Sequence, residues 1–113
     1  MTQEEQIEHF EAITTKMKEI LFKKGNDYAN ADRLSNFKLA GGICGLKAEQ
    51  NCLSLIATKV ARLGVLLNSD KVPNNESIQD SVLDLANYSV LLSMILKDKQ
   101  ITIFAPTVPE RLP

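Results

Sequence analysis

Residues 75–97 read NESIQDSVLDLANYSVLLSMILK, and this stretch decides the fold. Leu, Val and Ile recur in it at spacings of three and four residues, which is the repeat of a helix with one apolar side. Pro73-Asn74-Asn75, at its start, supplies a break and an asparagine that can cap the first turn. We therefore predict a long helix from about residue 75 to about residue 97.

This predicted helix has two apolar sides. One consists of Ile78, Val82, Leu85, Leu92 and Leu96. The opposite side starts with Glu76, Asp80, Asp84 and Asn87 and continues on nearly the same line as Leu91, Met94 and Ile95. A solvated face would stay polar along its whole length. We expect the second side to line a cavity partly closed by neighbouring elements.

Two more long helices and a short one are predicted upstream. The first carries a capping-box pattern, Thr2 with Glu5 three residues later, and its apolar periodicity ends at residues 23–25 (KKG). The second spans about 48–67. The short helix is predicted over 32–40 and ends at the two glycines that follow.

Three long helices, a short helix and few strand signals predict an all-α fold, a small helical bundle. We expect residues 1–98 to form a single helical domain. Residues 99–113 contain an apolar group, Ile101, Ile103 and Phe104, followed by three prolines, and are expected to form an extended C-terminal arm. That arm lacks an obvious partner within a monomer of 113 residues, so we expect a homo-oligomer.

Composition excludes two classes of partner. Lys and Arg number 13 against 14 Asp and Glu, a formal charge of -1, so no excess of positive charge is present to hold duplex nucleic acid. The N-terminus lacks a secretory signal, and no stretch approaches the roughly 18 apolar residues of a membrane helix. We expect no membrane partner and a cytoplasmic location. Cys44, Cys52 and the single His9 form no zinc pattern, and both cysteines are interpreted as small core residues.

Two cations interrupt the apolar stripe of the second long helix. Lys59 falls inside that stripe and Arg62 at its edge, one turn later. Both side chains can therefore reach a single anionic group. The alternative is that Lys59 extends its ammonium out of the core along an apolar stem.

Asp80 and Asp84 place two carboxylates one helical turn apart, which suits a hard cation such as Mg²⁺. The alternative is a structural ion network in which these aspartates pair with Lys59 and Arg62. The two interpretations are compatible, because cations near acidic ligands are typical of a phosphate-metal site. Glu76 is either a further ligand or, more simply, a first-turn carboxylate favoured by the helix dipole.

Two polar segments precede these helices. Asp27 and Tyr28 lie in a turn, where the tyrosine ring can stack on a base or donate a hydrogen bond. Asn36 either forms a local turn or presents a polar side chain on a mostly apolar segment.

In this order the pieces resemble the nucleotide modification associated domain 1 family, which is frequent in bacteriophages and bacteria. The matching pieces are residues 24–28 (KGNDY), 35–37 (SNF), 59–62 (KVAR), 76–80 (ESIQD) and 84–88 (DLANY). The resemblance covers roughly residues 15–97. It implies a small helical domain of nucleotide metabolism or nucleic-acid modification, in the host cytoplasm if the protein is phage-encoded.

More distantly, the chain is similar to the MazG-like all-α nucleoside triphosphate pyrophosphohydrolases, which hold Mg²⁺ with acidic residues on two helices. Asp80 and Asp84 match the acidic pair of the later helix. Where that superfamily has a Glu-x-x-Glu pair on the earlier helix, this chain has Lys59 and Arg62.

Three functions remain open. The first is a Mg²⁺-assisted nucleotide phosphohydrolase, in which Asp80 and Asp84 are the catalytic metal ligands and Lys59 and Arg62 neutralise phosphate. The side chains that orient the ligand are then Asp27, Tyr28, Asn36, Asn87 and Tyr88. The second is a sequestering or sensing protein that binds a nucleotide or nucleotide-derived signal without turnover. The third is a protein interaction module that uses the apolar arm.

Overall fold

The computed structural model describes residues 1–25, 34–69 and 75–99. That part of the chain contains four α-helices and no strand: α1 (Gln3–Gly25), α2 (Ser35–Ile43), α3 (Ala48–Leu67) and α4 (Asn75–Asp98). The predicted all-α fold of three long helices and one short helix is confirmed. The predicted C-terminal arm, apart from its first residue, lies outside the described residues. None of the described helices has an apolar stretch long enough to cross a bilayer.

Helix α1 begins where the capping-box pattern predicts. The Thr2 backbone N–H donates to Glu5 Oε1 over 3.3 Å, and the Glu5 backbone N–H donates to Thr2 Oγ1 over 3.1 Å. These reciprocal bonds satisfy two donors that a helix N-terminus otherwise leaves unpaired. Among the described helices, α1 packs against α4, and residues 1–12 of α1 and its cap are all exposed.

Helix α2 differs from the prediction at its C-terminal end. It runs through both glycines to Ile43 instead of stopping before them. Gly41 is buried, and a Cβ added there would lie 2.8 Å from the Leu46 carbonyl oxygen. The chain turns at Gly45, whose φ of +72° lies in the left-handed region. The glycine at position 41 therefore serves a close approach of the following loop and does not end the helix.

Helices α3 and α4 pair in an antiparallel arrangement. Residues that follow one another along α3 contact residues in descending order along α4: Cys52 bonds Tyr88, Lys59 pairs with Asp84, and Arg62 bonds Ser81. The bounds of both helices agree closely with the predictions. At the start of α3, the Lys47 backbone N–H donates to Gln50 Oε1 over 2.8 Å.

The core is centred on Leu34, Cys52 and Ile95, with α2, α3 and α4 each contributing to its surroundings. Partly buried side chains packed against it are Phe37, Ala48, Ile56, Tyr88, Leu91 and Leu92. Ile95 is almost fully buried although the sequence placed it on the cavity side of α4. The face predicted from Ile78 to Leu96 is only half-buried in the described chain. The second predicted side of α4 therefore supplies the residue of this helix that enters the core cluster.

The two cysteines have different environments. Cys52 is fully buried, as predicted, and burial raises the pKa of its thiol. Cys44, which follows the last residue of α2, is exposed, so the prediction that it is a core residue is wrong. It lies at the end of α2, just before the turn at Gly45, and is not part of the core cluster.

Candidate ligand cavity

A cavity of about 580 Å³ lies between the four described helices. Most of its lining is apolar and consists of Ile20, Leu21, Phe22, Leu34, Phe37, Ala40, Leu55, Leu91 and Met94. Five polar side chains also line it: Asn36, Asn51, Asp84, Asn87 and Tyr88. A largely apolar wall with a few polar groups, at this size, is typical of small-molecule sites.

Asn87 is the most deeply buried polar group of this cavity, with 6% of its surface exposed. Its Nδ2 donates to the Met17 carbonyl oxygen of α1 over 3.3 Å. Its Oδ1 is buried and has no hydrogen-bond partner. A buried acceptor without a partner costs about 1–3 kcal/mol, so such atoms are uncommon in folded proteins. Asn87 lines the cavity, but its Oδ1 is closed to solvent, so a donor on a bound molecule would reach this acceptor only after the side chain shifts.

An ion pair stands at the polar side of the cavity. The Lys59 ammonium lies 2.9 Å from Asp84 Oδ2, and the two side chains are 25% and 33% exposed. Asp84 lines the cavity, whereas Lys59 contacts this carboxylate and is not itself part of the lining. The contact between Lys59 and Asp84 is one of the pairings that the structural ion network would contain.

Arg62 and Asp80 lie one helical turn further along the α3 and α4 pair. The Arg62 Nε donates to the buried Ser81 Oγ over 3.2 Å, although the arginine as a residue is exposed. Asp80 is exposed and does not line the cavity. The described residues contain no group of three or more His, Cys, Asp or Glu side chains arranged to hold a metal. The Mg²⁺ site at Asp80 and Asp84 stays a prediction.

Other residues predicted to orient a ligand divide into two groups. Asn36 and Tyr88 line the cavity, and the Tyr88 carbonyl oxygen accepts a hydrogen bond from Cys52 Sγ over 3.4 Å. Asp27 and Tyr28 lie outside the described residues. The structure thus brings Lys59 and four of the predicted residues to one place, namely Asn36, Asp84, Asn87 and Tyr88.

Asn51 was missed from the sequence. It lines the cavity and its Nδ2 donates to the Phe37 carbonyl oxygen over 3.4 Å. The signal was present, because Asn51 lies four residues before Leu55 and eight before Lys59, on the same line of α3. Asn51 is therefore, like Lys59, a polar residue inside the apolar stripe of α3.

No family model, curated protein or solved structure matched this chain. The resemblances to the nucleotide modification associated domain 1 family and to the MazG-like pyrophosphohydrolases therefore stay predictions.

Proposed function

We propose that this protein binds a nucleotide or a nucleotide-derived small molecule in the cavity. The observation that carries the proposal is the unpaired Oδ1 of Asn87, buried in a mostly apolar cavity beside the ion pair of Lys59 and Asp84. A nucleotide combines a flat, largely apolar ring that carries N–H groups with an anionic phosphate. The lining offers apolar side chains and amide groups for the ring, and the Lys59 ammonium, paired with the lining residue Asp84, is the cation that we assign to the phosphate.

The apolar part of the cavity suits the base. Phe37, Leu55 and Leu91 supply side chains against which a flat ring packs. On binding, the Asn87 side chain shifts so that its Oδ1, which is closed to solvent in the free protein, accepts a hydrogen bond from an amino group or a ring N–H of the ligand; this bond removes the penalty of its unpaired state. Asn36 and Asn51 carry amide groups that can both donate and accept.

We assign the phosphate to two cations of α3 that lie outside the cavity lining, Lys59 and Arg62. Lys59 and Arg62 lie one turn apart on α3, and each now has a partner on α4, Asp84 and Ser81 respectively. A phosphate offers either cation a stronger, charge-assisted hydrogen bond than a neutral hydroxyl does. Binding would therefore draw Arg62 from Ser81 more readily than Lys59 from the carboxylate.

A second candidate is Mg²⁺-assisted phosphohydrolysis at the same place. It is favoured by the position of Asp84 in the cavity wall with Asp80 one turn before it on α4. Mg²⁺ in nucleotide sites is held by one or two carboxylates together with phosphate oxygens, so these aspartates are sufficient as protein ligands. A bound Mg²⁺ would supply charge neutralisation and a more acidic water. Lys59, released from Asp84, would then contact the phosphate.

The binding proposal is tested by calorimetric titration of the full chain in EDTA with nucleosides, nucleotides, inorganic phosphate and pyrophosphate. At least one nucleotide is expected to bind, and pyrophosphate alone is expected to bind at least about tenfold more weakly, because it leaves the apolar cavity empty. The variant Asn87→Leu should lose about tenfold in nucleotide affinity, equivalent to one hydrogen bond. The proposal fails if no nucleotide binds, or if pyrophosphate binds equally well.

Hydrolysis is tested separately by incubating the best nucleotide with the protein and Mg²⁺ and separating the products by anion exchange. Phosphohydrolysis predicts product formation that Asp84→Asn abolishes. If the nucleotide is recovered intact, hydrolysis is wrong while binding stands. The interaction-module hypothesis concerns residues 101–104, which lie outside the described chain.

A further inference from the structure

The outer face of α3 carries almost no charge. Over residues 53–68, Arg62 is the one charged residue among those that are exposed, and its Nε is bonded to Ser81 of α4. The apolar side chains of this face are strongly exposed: Leu53 by 57%, Val60 by 52% and Leu67 by 66%. Exposed apolar side chains that are grouped on one face of a helix mark a candidate interaction surface.

These side chains form a straight stripe. Leu53, Ala57, Val60, Gly64 and Leu67 follow one another at steps of four, three, four and three residues. This is the seam spacing of a coiled coil, in which one helix packs lengthwise against another. All five residues are exposed in the described chain, and the stripe is about 21 Å long at 1.5 Å per residue. We call it the α3 seam.

Side-chain size along the α3 seam is symmetric about Val60. A leucine lies seven residues away in each direction, at Leu53 and Leu67, and a small residue lies between on each side, at Ala57 and Gly64. A twofold axis through Val60 would place Leu53 against Leu67 of a second copy, and Ala57 within one residue of its Gly64. Symmetric dimers require a surface that complements itself in this way.

Gly64 provides an independent observation. A Cβ added there meets no atom within 4 Å, so the fold of the single chain does not require a glycine. Glycine inside a helix is about 1 kcal/mol less favourable than alanine. A close approach by a second helix gives this glycine a function, because small residues at a helix interface let the two backbones come near.

We infer that the α3 seam is the interface of an antiparallel homodimer whose twofold axis passes by Val60. A second copy is the partner that fits best, because the order of large and small side chains along the seam complements that of an identical, antiparallel seam. The five seam residues are also uncharged, so two identical faces would not repel each other and no oppositely charged partner is required. A stripe of one helix is shorter than a standard interface of about 800 Å² per partner, so the dimer is expected to dissociate on dilution. The inference does not depend on nucleotide binding.

Sedimentation velocity of the full chain over a wide range of concentrations tests the dimer. The wild-type protein should shift from monomer to dimer as concentration rises. Leu67→Glu should raise the dissociation constant at least about tenfold, since it buries a charge in the seam. Leu39→Glu is the matched control, because Leu39 is 67% exposed on α2, outside the seam, and this variant should dimerise as the wild type does. A wild type that is monomeric throughout, or a control that dissociates equally, would overturn the inference.

Two double variants test the direction of pairing. In the antiparallel dimer, Leu53→Lys with Leu67→Glu sets opposite charges against each other, whereas Leu53→Glu with Leu67→Glu sets like charges against each other. The first variant should dimerise at least about tenfold more tightly than the second. Circular dichroism confirms that both remain helical, as expected for changes at exposed sites. Equal dissociation constants would show that the two leucines do not face each other, and would overturn the proposed arrangement.

Discussion

The Lys59 ammonium lies 2.9 Å from the Asp84 carboxylate and joins α3 to α4 beside the cavity. Both side chains are partly exposed, so solvent screens the attraction and limits its contribution to the free energy of unfolding. The pair nevertheless holds the Lys59 ammonium next to the Asp84 carboxylate, which is part of the polar lining of the cavity. Its importance is therefore expected to be larger for ligand binding than for stability.

The first prediction concerns this ion pair. Asp84→Asn and Lys59→Met should each lower the free energy of unfolding by about 1 kcal/mol or less, and the double-mutant cycle should give a coupling of about 0.5–1 kcal/mol. Urea denaturation measures all four free energies. If Asp84 holds Mg²⁺, Asp84→Asn should also lose any increase in melting temperature that Mg²⁺ gives with a nucleotide. A coupling near zero would show that the pair does not persist in solution.

The second prediction concerns Asn87. Because its Oδ1 is buried without a partner, Asn87→Leu removes an unfavourable buried acceptor along with one hydrogen bond to Met17. The free energy of unfolding should stay within about 1 kcal/mol of the wild type. Asn87→Ala is the control, since it removes the same polar atoms without filling the space, and it should be less stable than Asn87→Leu. A loss above about 2 kcal/mol in Asn87→Leu would show that the amide supports the fold.

The helix boundaries could be predicted because their signals are local. Thr2 and Glu5 form the expected capping box, and α4 starts at Asn75 as expected. The end of α2 could not be predicted. A glycine is needed at position 41 because the Leu46 carbonyl of the next loop approaches closely, and not because the helix ends there. A glycine can permit either a turn or a close contact with another part of the backbone, and the sequence does not show which of the two is present.

The candidate site followed from polar residues in apolar stripes. Asp84 and Asn87 stood out on α4 because a charge or amide there needs a partner, and both line the cavity. Asp80 lies one turn before Asp84 on the same side of α4, but it is exposed and does not line the cavity. Which turns of that side reach the cavity depends on contacts between helices that are distant in sequence.

The third prediction compares two neighbouring glycines of α2. Gly41→Ala should lower the free energy of unfolding by about 1–3 kcal/mol, since the new methyl group would force the Leu46 carbonyl to move. Gly42→Ala meets no atom within 4 Å and should be neutral or stabilising by up to about 1 kcal/mol. Thermal unfolding of both variants measures the difference. Equal stabilities would show that the loop does not approach Gly41 closely.

The fourth prediction concerns acid stability. The Lys99 ammonium lies 2.9 Å from Glu49 Oε1 and 2.6 Å from Oε2, and this hydrogen bonding holds the pKa of the Glu49 carboxyl below its ordinary value of 4.5. A carboxyl with a lowered folded-state pKa stabilises the fold above its unfolded pKa and loses that contribution as pH falls through the folded value. The free energy of unfolding should therefore decline below pH 4.5 less steeply in Glu49→Gln than in the wild type.

The control for this acid titration is Glu8→Gln, because Glu8 is exposed on α1. This variant should keep the wild-type slope between about pH 6 and pH 3. An unchanged slope in Glu49→Gln would show that Lys99 does not hold the carboxylate in solution.

The fifth prediction concerns the two thiols. Cys52 is fully buried, its Sγ donates to the Tyr88 carbonyl oxygen, and burial raises the pKa of its thiol, so little reactive thiolate is present at neutral pH. Cys44 is exposed. A thiol reagent should therefore modify the native protein in one fast phase, which Cys44→Ser removes, and one slow phase limited by opening of the fold, which Cys52→Ala removes. Denaturant should merge the two phases in the wild type, and two equally fast phases in the native protein would contradict the burial of Cys52.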